Sequence, residues 1–276
     1  MGDSRWVDCP VVIQYMGGKF ELSRKLIPML APHVRYIEMF AGGLSMYFRK
    51  NKVKWNVVND YDSDIANLYE SIRTNLKEFQ NHAYWMVKSR EIFIEFRRQV
   101  HENKKIDIPD PERAAKYYYV IKNAFNKNVN ATISKDSKSW KSTMLEDLKY
   151  SRQLLDNIMI ENLDFRKLVE KYPPREGDMW YMDPPYIVAG ERKDYYFFDF
   201  NMDDHKALAD MCDIIHESGG KFMVSYDDRD EVKELYKDYN INVLKIIYSG
   251  QQHHRIEKNE LVITNYEPPS QQKSLF

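Results

Sequence analysis

The chain has 276 residues, 43% hydrophobic and 30% charged, enough apolar material for one large α/β domain with an insertion or for two modest domains. A formal net charge of −1 excludes attraction of the whole molecule to a polyanion, so nucleic-acid binding would need locally concentrated basic residues. Two cysteines, Cys9 and Cys212, exclude a disulfide framework, and no apolar run reaches the roughly eighteen residues that a membrane span needs.

Near the N-terminus, Asp3, Arg5 and Asp8 stand where a signal peptide would carry an apolar run, so none is expected. Tyr15-Met-Gly17-Gly18-Lys19 then reads as a glycine turn bearing a lysine. The first strand is Arg35-Tyr-Ile-Glu-Met-Phe40, followed by Gly42-Gly43 and a helix from Leu44. The second is Trp55-Asn-Val-Val-Asn-Asp60, leading into Ile65, Leu68, Tyr69 and Ile72 at helical spacing. Between about Ser71 and Leu155 this rhythm stops. Helices over Glu91 to Val100 and Pro111 to Ala124 surround a polar segment from Asn126 to Ser142, which predicts an inserted subdomain over residues 71–154. Residues 1–70 and 155–276 would form the other domain.

Strand and helix resume at Ile158-Met-Ile160, with Leu163-Asp164-Phe165 and a short helix through Leu168. Met179-Trp-Tyr-Met-Asp183 follows, then Pro184-Pro185-Tyr186. Lys221 to Tyr226 is preceded by a helix carrying Leu208, Met211, Ile214 and Ile215. Val243 to Ile247 and Leu261 to Tyr266 form a hairpin. Alternating strands and helices predict a doubly wound, mostly parallel sheet, and the hairpin adds an antiparallel edge. Ligands of such sheets sit beyond the carboxyl ends of the strands. Those ends supply Glu38, Asp60, Asp164 and Asp183, acidic residues that also suit helix N-caps.

Asp183-Pro184-Pro185-Tyr186 carries the sharpest chemistry. An exocyclic amine conjugated to an aromatic ring is a poor nucleophile, and acceptors that draw its hydrogens free its lone pair. Asp183 offers a carboxylate, and the carbonyl of Pro184 offers a second acceptor, with no competing N–H on the ring nitrogen. Tyr186 offers a flat face for a base lifted from a duplex. A Pro-Pro turn after a buried strand is the plainer alternative. Phe40-Ala-Gly42-Gly43 lets backbone approach a ligand, and Asp60 lies where nucleotide-binding folds place an acid for ribose hydroxyls. The glycines match neither G-x-G-x-x-G nor a P-loop, so a ligand with ribose but no phosphate fits best. Lys19 is placed to pair with a ligand carboxylate.

These segments resemble, in order and spacing, the Dam-type (D12 class) family of DNA adenine N6-methyltransferases: Tyr15 to Lys19, Glu38-Met-Phe-Ala-Gly-Gly43, Asn59-Asp60, Asp183 to Tyr186 and Asn259 to Tyr266. The resemblance implies a Rossmann-like methyltransferase fold using S-adenosyl-L-methionine, with residues 71–154 as the target-recognition domain. It implies cofactor contacts from Tyr15, Gly17, Gly18, Lys19, Glu38, Phe40, Gly42, Asp60 and Asp183, with Asp164-Phe165 cradling the cofactor adenine. The four residues Asp183, Pro184, Pro185 and Tyr186 would be catalytic on a flipped adenine, in the cytoplasm of a bacterial or phage-infected cell. Leu44 stands where many members carry a third glycine, Tyr15 replaces a tryptophan found in some, and the insertion diverges most.

Duplex DNA is the implied partner. From Lys116 to Lys141 six lysines face a single acid, Asp136. Lys122, Asn123, Asn126, Lys127, Lys135, Lys138 and Lys141 are the candidate contacts, and Arg255 of the Gln251 to Arg255 loop is another. A solvated loop is the plainer reading of such a run. His253-His254 has no third ligand at zinc-like spacing, so no metal is expected. Methylation of RNA adenine or of a cytosine amine uses the same chemistry and stays open. A silent DNA-binding protein is disfavoured by intact Lys19, Asp60 and Asp183, and a nucleotide-linked oxidoreductase by the missing phosphate fingerprint.

Overall fold

The computed structural model describes residues 12–13, 19–102, 106–135, 140, 142–187, 200–249 and 255–269. In chain order its regular elements are α1 (Ser23–Leu26), β1 (Arg35–Glu38), α2 (Ser45–Arg49), β2 (Trp55–Asn59), α3 (Ser63–Tyr84), α4 (Arg90–Glu102), α5 (Pro111–Asn123) and α6 (Leu148–Leu155). Then come β3 (Met159–Glu161), α7 (Phe165–Lys171), β4 (Asp178–Met182), α8 (Met202–Glu217), β5 (Lys221–Asp227), α9 (Asp230–Leu235), β6 (Asn240–Ser249) and β7 (Arg255–Thr264).

The strands form one seven-stranded sheet in the order β3-β2-β1-β4-β5-β7-β6. β1 to β5 are parallel, while β7 runs antiparallel between β5 and β6. The fold is therefore the expected α/β class with its antiparallel edge hairpin. Parallel strands covered on both faces read as continuous apolar runs, and β1 and β4 are buried at every residue. Alternate residues divide between the two faces. Ile37, Trp180, Met182, Phe222 and Val224 join Leu168 of α7, Leu208 of α8 and Val232 of α9. Tyr36, Met179, Tyr181 and Met223 point the other way, toward Tyr47, Phe48, Ile65, Leu68, Tyr69 and Ile72.

The two helices α4 and α5 appear where the periodicity placed them. α5 begins at Pro111 behind Asp110, whose carboxylate accepts the Arg113 N–H at 3.0 Å, a standard N-cap. Its face is buried from Tyr117 through Ile121, and the cluster around it is continuous with that of α3. On α8 the sequence reading needs a correction: Ile214 is 40% exposed, and Cys212 is buried in its place. Leu208, Cys212 and Ile215 lie at i, i+4 and i+7, which is the inward stripe, and Ile214 falls off it.

β1 is the point where the strand order reverses, since the chain goes from β1 outward to β2 and β3 and then returns to β4 on its other side. A forked ion pair locks this junction at its lower end. Arg35 Nε donates to Asp178 Oδ1 at 2.7 Å and a terminal nitrogen of its guanidinium donates to Oδ2 at 2.5 Å, between residues that are register partners. Both are buried, so losing one partner strands a charge in the interior. Asp178→Ala is expected to cost about 3–5 kcal/mol, read as a lower urea midpoint. The pair Arg35→Met with Asp178→Leu should recover a large part of that loss; a double variant as unstable as the single one would show that the charge pair is not what matters.

Candidate active site

Opposite that lock, at the carboxyl ends of the strands, the loops after β1 and β4 diverge at the reversal point, the place where doubly wound sheets bind ligands. The loop after β1 is held by backbone and by its neighbours. Ala41 N–H donates to the Asn59 carbonyl at 2.7 Å, and Gly42 N–H donates to Asp60 Oδ2 at 2.8 Å. Gly42 has φ +45, a conformation that suits glycine. Leu44 has φ 52 and ψ 33 and is fully buried. The left-handed turn survives there because the side chain packs into the core, which offsets a backbone cost of about 1–2 kcal/mol.

Asn59 and Asp60 close the end of β2. The buried Asn59 amide donates to the carbonyls of Met39 and Leu163, each at 3.0 Å, and its oxygen accepts the Leu163 N–H at 2.9 Å. One side chain thus ties three strand ends together. Asp60 uses one carboxylate oxygen for Gly42 and the other for the Asp62 N–H at 2.9 Å. Burial pushes its carboxyl up to about 6 in spite of those two donors. Glu38 is more deeply enclosed. It accepts the Tyr36 hydroxyl at 2.8 Å, and burial lifts it to about 8.

Asp164 is the N-cap of α7, accepting the Arg166 N–H at 2.9 Å, and it also pairs with the Arg166 guanidinium at 3.1 Å. The N-cap alternative therefore holds for this acid. Phe165 beside it is buried and meets Phe40 at 6.0 Å and Phe200 at 5.7 Å between ring centroids. Phe40 meets Phe200 edge-on at 5.8 Å, so three phenyl rings form an apolar wall next to the Gly42–Asp60 corner.

Beyond β4, Asp183 leaves the sheet with 21% of its side chain exposed. Its Oδ1 takes Lys19 Nζ at 2.7 Å and the Ser225 hydroxyl at 3.3 Å, while Oδ2 accepts no hydrogen bond among the described residues. Burial raises the Asp183 carboxyl, and Lys19 and Ser225 oppose that rise. Pro184 is buried and Pro185 half-buried. The Tyr186 hydroxyl donates to Glu260 Oε1 at 2.6 Å, and its ring lies 6.1 Å from that of Tyr226.

Lys19 is the centre of this group. Its ammonium contacts Asp183, Glu260 Oε1 at 3.1 Å and the Tyr186 hydroxyl, and sits 4.6 Å from the Tyr186 ring centroid. Burial alone would pull an amine down, yet the two carboxylates outweigh it and hold Lys19 above the ordinary lysine range. Lys19, the residue expected to meet a ligand carboxylate, pairs here with two carboxylates of the protein, and a cation only 5% exposed needs such counter-charges in the fold itself. Glu260 was not singled out by the sequence reading. The signal was present: a lone acid opening the apolar run Leu261-Val262-Ile263.

Tyr15, Gly17 and Gly18 lie outside the described residues, as do Lys138, Lys141 and the side chain of Arg255. Asn126 and Lys127 take left-handed conformations, φ 52 and 58, in a tight turn after α5. Lys127 Nζ donates to the Lys122 carbonyl at 2.8 Å. Lys122 lies 5.1 Å from the Tyr118 ring centroid, and burial, aided by Lys127, lowers its amine to about 8. Lys135 is exposed. Asn123 is a correction: it is fully buried, and its amide donates to the Tyr119 carbonyl at 2.9 Å, so it braces the turn from inside and presents nothing to a partner. Among the described residues no group of three or more metal-ligating side chains comes together, and no helix is long and apolar enough to cross a membrane.

This arrangement can be set beside known proteins. A type II methyltransferase of Lactococcus lactis subsp. cremoris, M1.LlaDCHI, is 27% identical over 86% of this chain and 91% of its own length. The type II methyltransferase M.MjaIII of Methanocaldococcus jannaschii is 24% identical over 92% of this chain and 98% of its own. The retron Ec67 DNA adenine methylase of Escherichia coli is 22% identical over 85% of this chain and 83% of its own. The family profile matching residues 15–249 spans from Tyr15 through both strand-end loops and the helices between β2 and β3 to the end of β6, and the chain belongs to the D12 class of N6 adenine-specific DNA methyltransferases.

Proposed function

We propose that the protein transfers a methyl group from S-adenosylmethionine to the N6 amine of an adenine turned out of duplex DNA. The observation that carries this reading is Asp183: Lys19 and Ser225 both hold Oδ1, which leaves Oδ2 as the acceptor for the target amine. The carbonyl of Pro184 is the second acceptor, and together they draw both amine hydrogens and free the lone pair. Positive charge that develops on the nitrogen is stabilised by the same two oxygens. Pro185 stiffens the loop, and Tyr186, pinned through its hydroxyl, offers its ring to the flipped base.

The chemistry of the β1–β2 corner fits the cofactor. A carboxylate at the end of β2 suits a ribose diol, the φ +45 glycine permits close backbone approach, and the three phenyl rings suit an adenine. When bound, S-adenosylmethionine supplies an activated methyl group. Asp60 would hold the ribose, Phe40 and Phe165 would flank the adenine, and Gly42, Glu38, Asp164 and the Tyr15-Gly17-Gly18 segment would complete the pocket. Residues 71–154 would recognise the target, with Lys122, Asn126, Lys127, Lys135, Lys138, Lys141 and Arg255 toward the duplex. Residues 1–70 and 155–276 would hold the cofactor and the catalytic loop.

The direct test is transfer of labelled methyl to mixed-sequence duplex DNA, with digestion to nucleosides and RNA run in parallel. N6-methyladenine from the duplex is expected; label in RNA alone, or in cytosine, would overturn the reading. Asp183→Ala should lower kcat by about 10³-fold or more with folding and DNA binding retained. Turnover near wild type in that variant would remove Asp183 from the mechanism. Cofactor affinity should be full above the Asp60 pKa and fall as pH drops through about 6, because protonation removes the charged acceptor. Asp60→Asn should bind about 10-fold or more weakly at neutral pH and lose that dependence; calorimetric titration across pH decides. Lys135→Gln, Lys138→Gln and Lys141→Gln together should reduce the slope of log K for DNA against log salt by about 2–3, and an unchanged slope would place the phosphate contacts elsewhere.

A further inference from the structure

Glu260 is 4% exposed on β7, followed by Leu261, Val262 and Ile263, all fully buried. β7 is antiparallel to β5 and pairs Glu260 with Asp227, so this position reaches the same sheet edge as the loop after β4. A carboxylate enclosed in an apolar strand persists only with partners. Both of its partners belong to the proposed transfer site: the Tyr186 hydroxyl at 2.6 Å and Lys19 Nζ at 3.1 Å. Lys19 in turn reaches Asp183 Oδ1 at 2.7 Å.

We propose that Glu260 is a positioning residue for methyl transfer, fixing the Tyr186 ring and sharing the Lys19 cation with Asp183 so that Asp183 Oδ2 stays presented and electron-rich. The inference rests on the reading of Asp183 given above. One ammonium serves two carboxylates here. With Glu260 removed, Asp183 no longer shares the Lys19 charge with a second carboxylate, which tightens that pair and weakens Asp183 as an acceptor for the amine. The phenol of Tyr186 loses its carboxylate acceptor at the same time, loosening the ring that receives the base. Substrate would still enter and bind, since Glu260 itself lies behind both groups; what suffers is the geometry of the bound amine, so the loss belongs in kcat.

The charged and titratable groups about Glu260 are Lys19 from the N-terminal segment, Asp183 and Tyr186 from the loop after β4, Tyr181 of β4 and Asp227 opposite it on β5. Burial and the nearby Asp183 both raise the Glu260 carboxyl, with Lys19 and Tyr186 opposing. The acid limb of the wild-type kcat should therefore reflect both carboxylates around the one cation. Glu260→Gln removes one negative charge from beside Lys19 and Asp183 and should move that limb to lower pH. A purely structural role would leave it in place.

The experiment compares wild type, Glu260→Ala and Glu260→Gln by steady-state methyl transfer to duplex DNA across pH, with thermal melting as the check on folding. Glu260→Ala is expected to lose about 10²-fold in kcat, with far smaller changes in KM for DNA and cofactor. Glu260→Gln, whose amide oxygen still accepts from Tyr186, should recover part of kcat and show the shifted acid limb. If Glu260→Ala does not fold, the glutamine variant decides alone. Wild-type kcat in a folded variant, or an unmoved acid limb in Glu260→Gln, would overturn the inference and leave the adenine-methylation reading standing. Absence of adenine methylation by the wild type would overturn both.

Discussion

A buried lysine between two carboxylates sets the terms for the rest of this structure. Lys19, Asp183 and Glu260 come from a segment ahead of the sheet, from the loop after a central parallel strand and from the antiparallel strand near the edge. None of the three could be buried alone, because each enclosed ion costs several kcal/mol in lost hydration. Mutual attraction returns that cost only while all three hold their places. The cluster is thus a poor source of net stability and a strong constraint on geometry. Such a constraint placed at the carboxyl ends of parallel strands, beside a Pro-Pro loop, is the pattern expected of a site and not of a core.

The same logic governs the neighbouring corner. Asn59 joins the ends of three strand loops through one buried amide, and Asp60 joins the glycine loop to the start of the next helix. Loops ordinarily move more than the elements they connect. Here their backbone groups are satisfied by side chains of adjacent strands, so the loops take their positions from the sheet. Leu44 illustrates how far this goes: a left-handed leucine is held by its own burial, where a glycine would have needed nothing.

The strands, the hairpin and the insertion helices were legible because each follows a local rule. Buried parallel strands read as apolar runs, the hairpin as two runs with a polar link, and α5 as a helix opened by Asp110-Pro111. The strand-end acids and the Asp183 to Tyr186 motif were legible because their residue types match a chemistry. What escaped the sequence was pairing. Nothing local says that Lys19 meets Glu260, some 240 positions away, or that Asn123 turns inward to Tyr119 while Asn126 three residues on is exposed. Ile214 and Cys212 on α8 differ only in which side of a helical stripe they fall. Each of these is decided by tertiary contact, and Glu260 just ahead of the apolar run Leu261-Val262-Ile263 is a trace that such contact left in the sequence.

The stretch from Asp60 to Asn67 shows how α5 is joined to this frame. Asp60 holds the Gly42 N–H, and Asp62 caps α3 by accepting the Asp64 N–H at 2.9 Å. Asp64 takes the Arg113 guanidinium in a fork at 2.7 and 2.9 Å. Asn67 exchanges two hydrogen bonds with the backbone of Asp110, the residue that caps α5. Two turns of chain therefore fix the glycine loop on one side and the first turn of α5 on the other. Arg113 and Asp64 are both largely buried, so the fork cannot slide without stranding a charge. The glycine loop and α5 consequently share a single mechanical reference, the start of α3, and their relative placement is set by short, saturated polar contacts instead of by a linker.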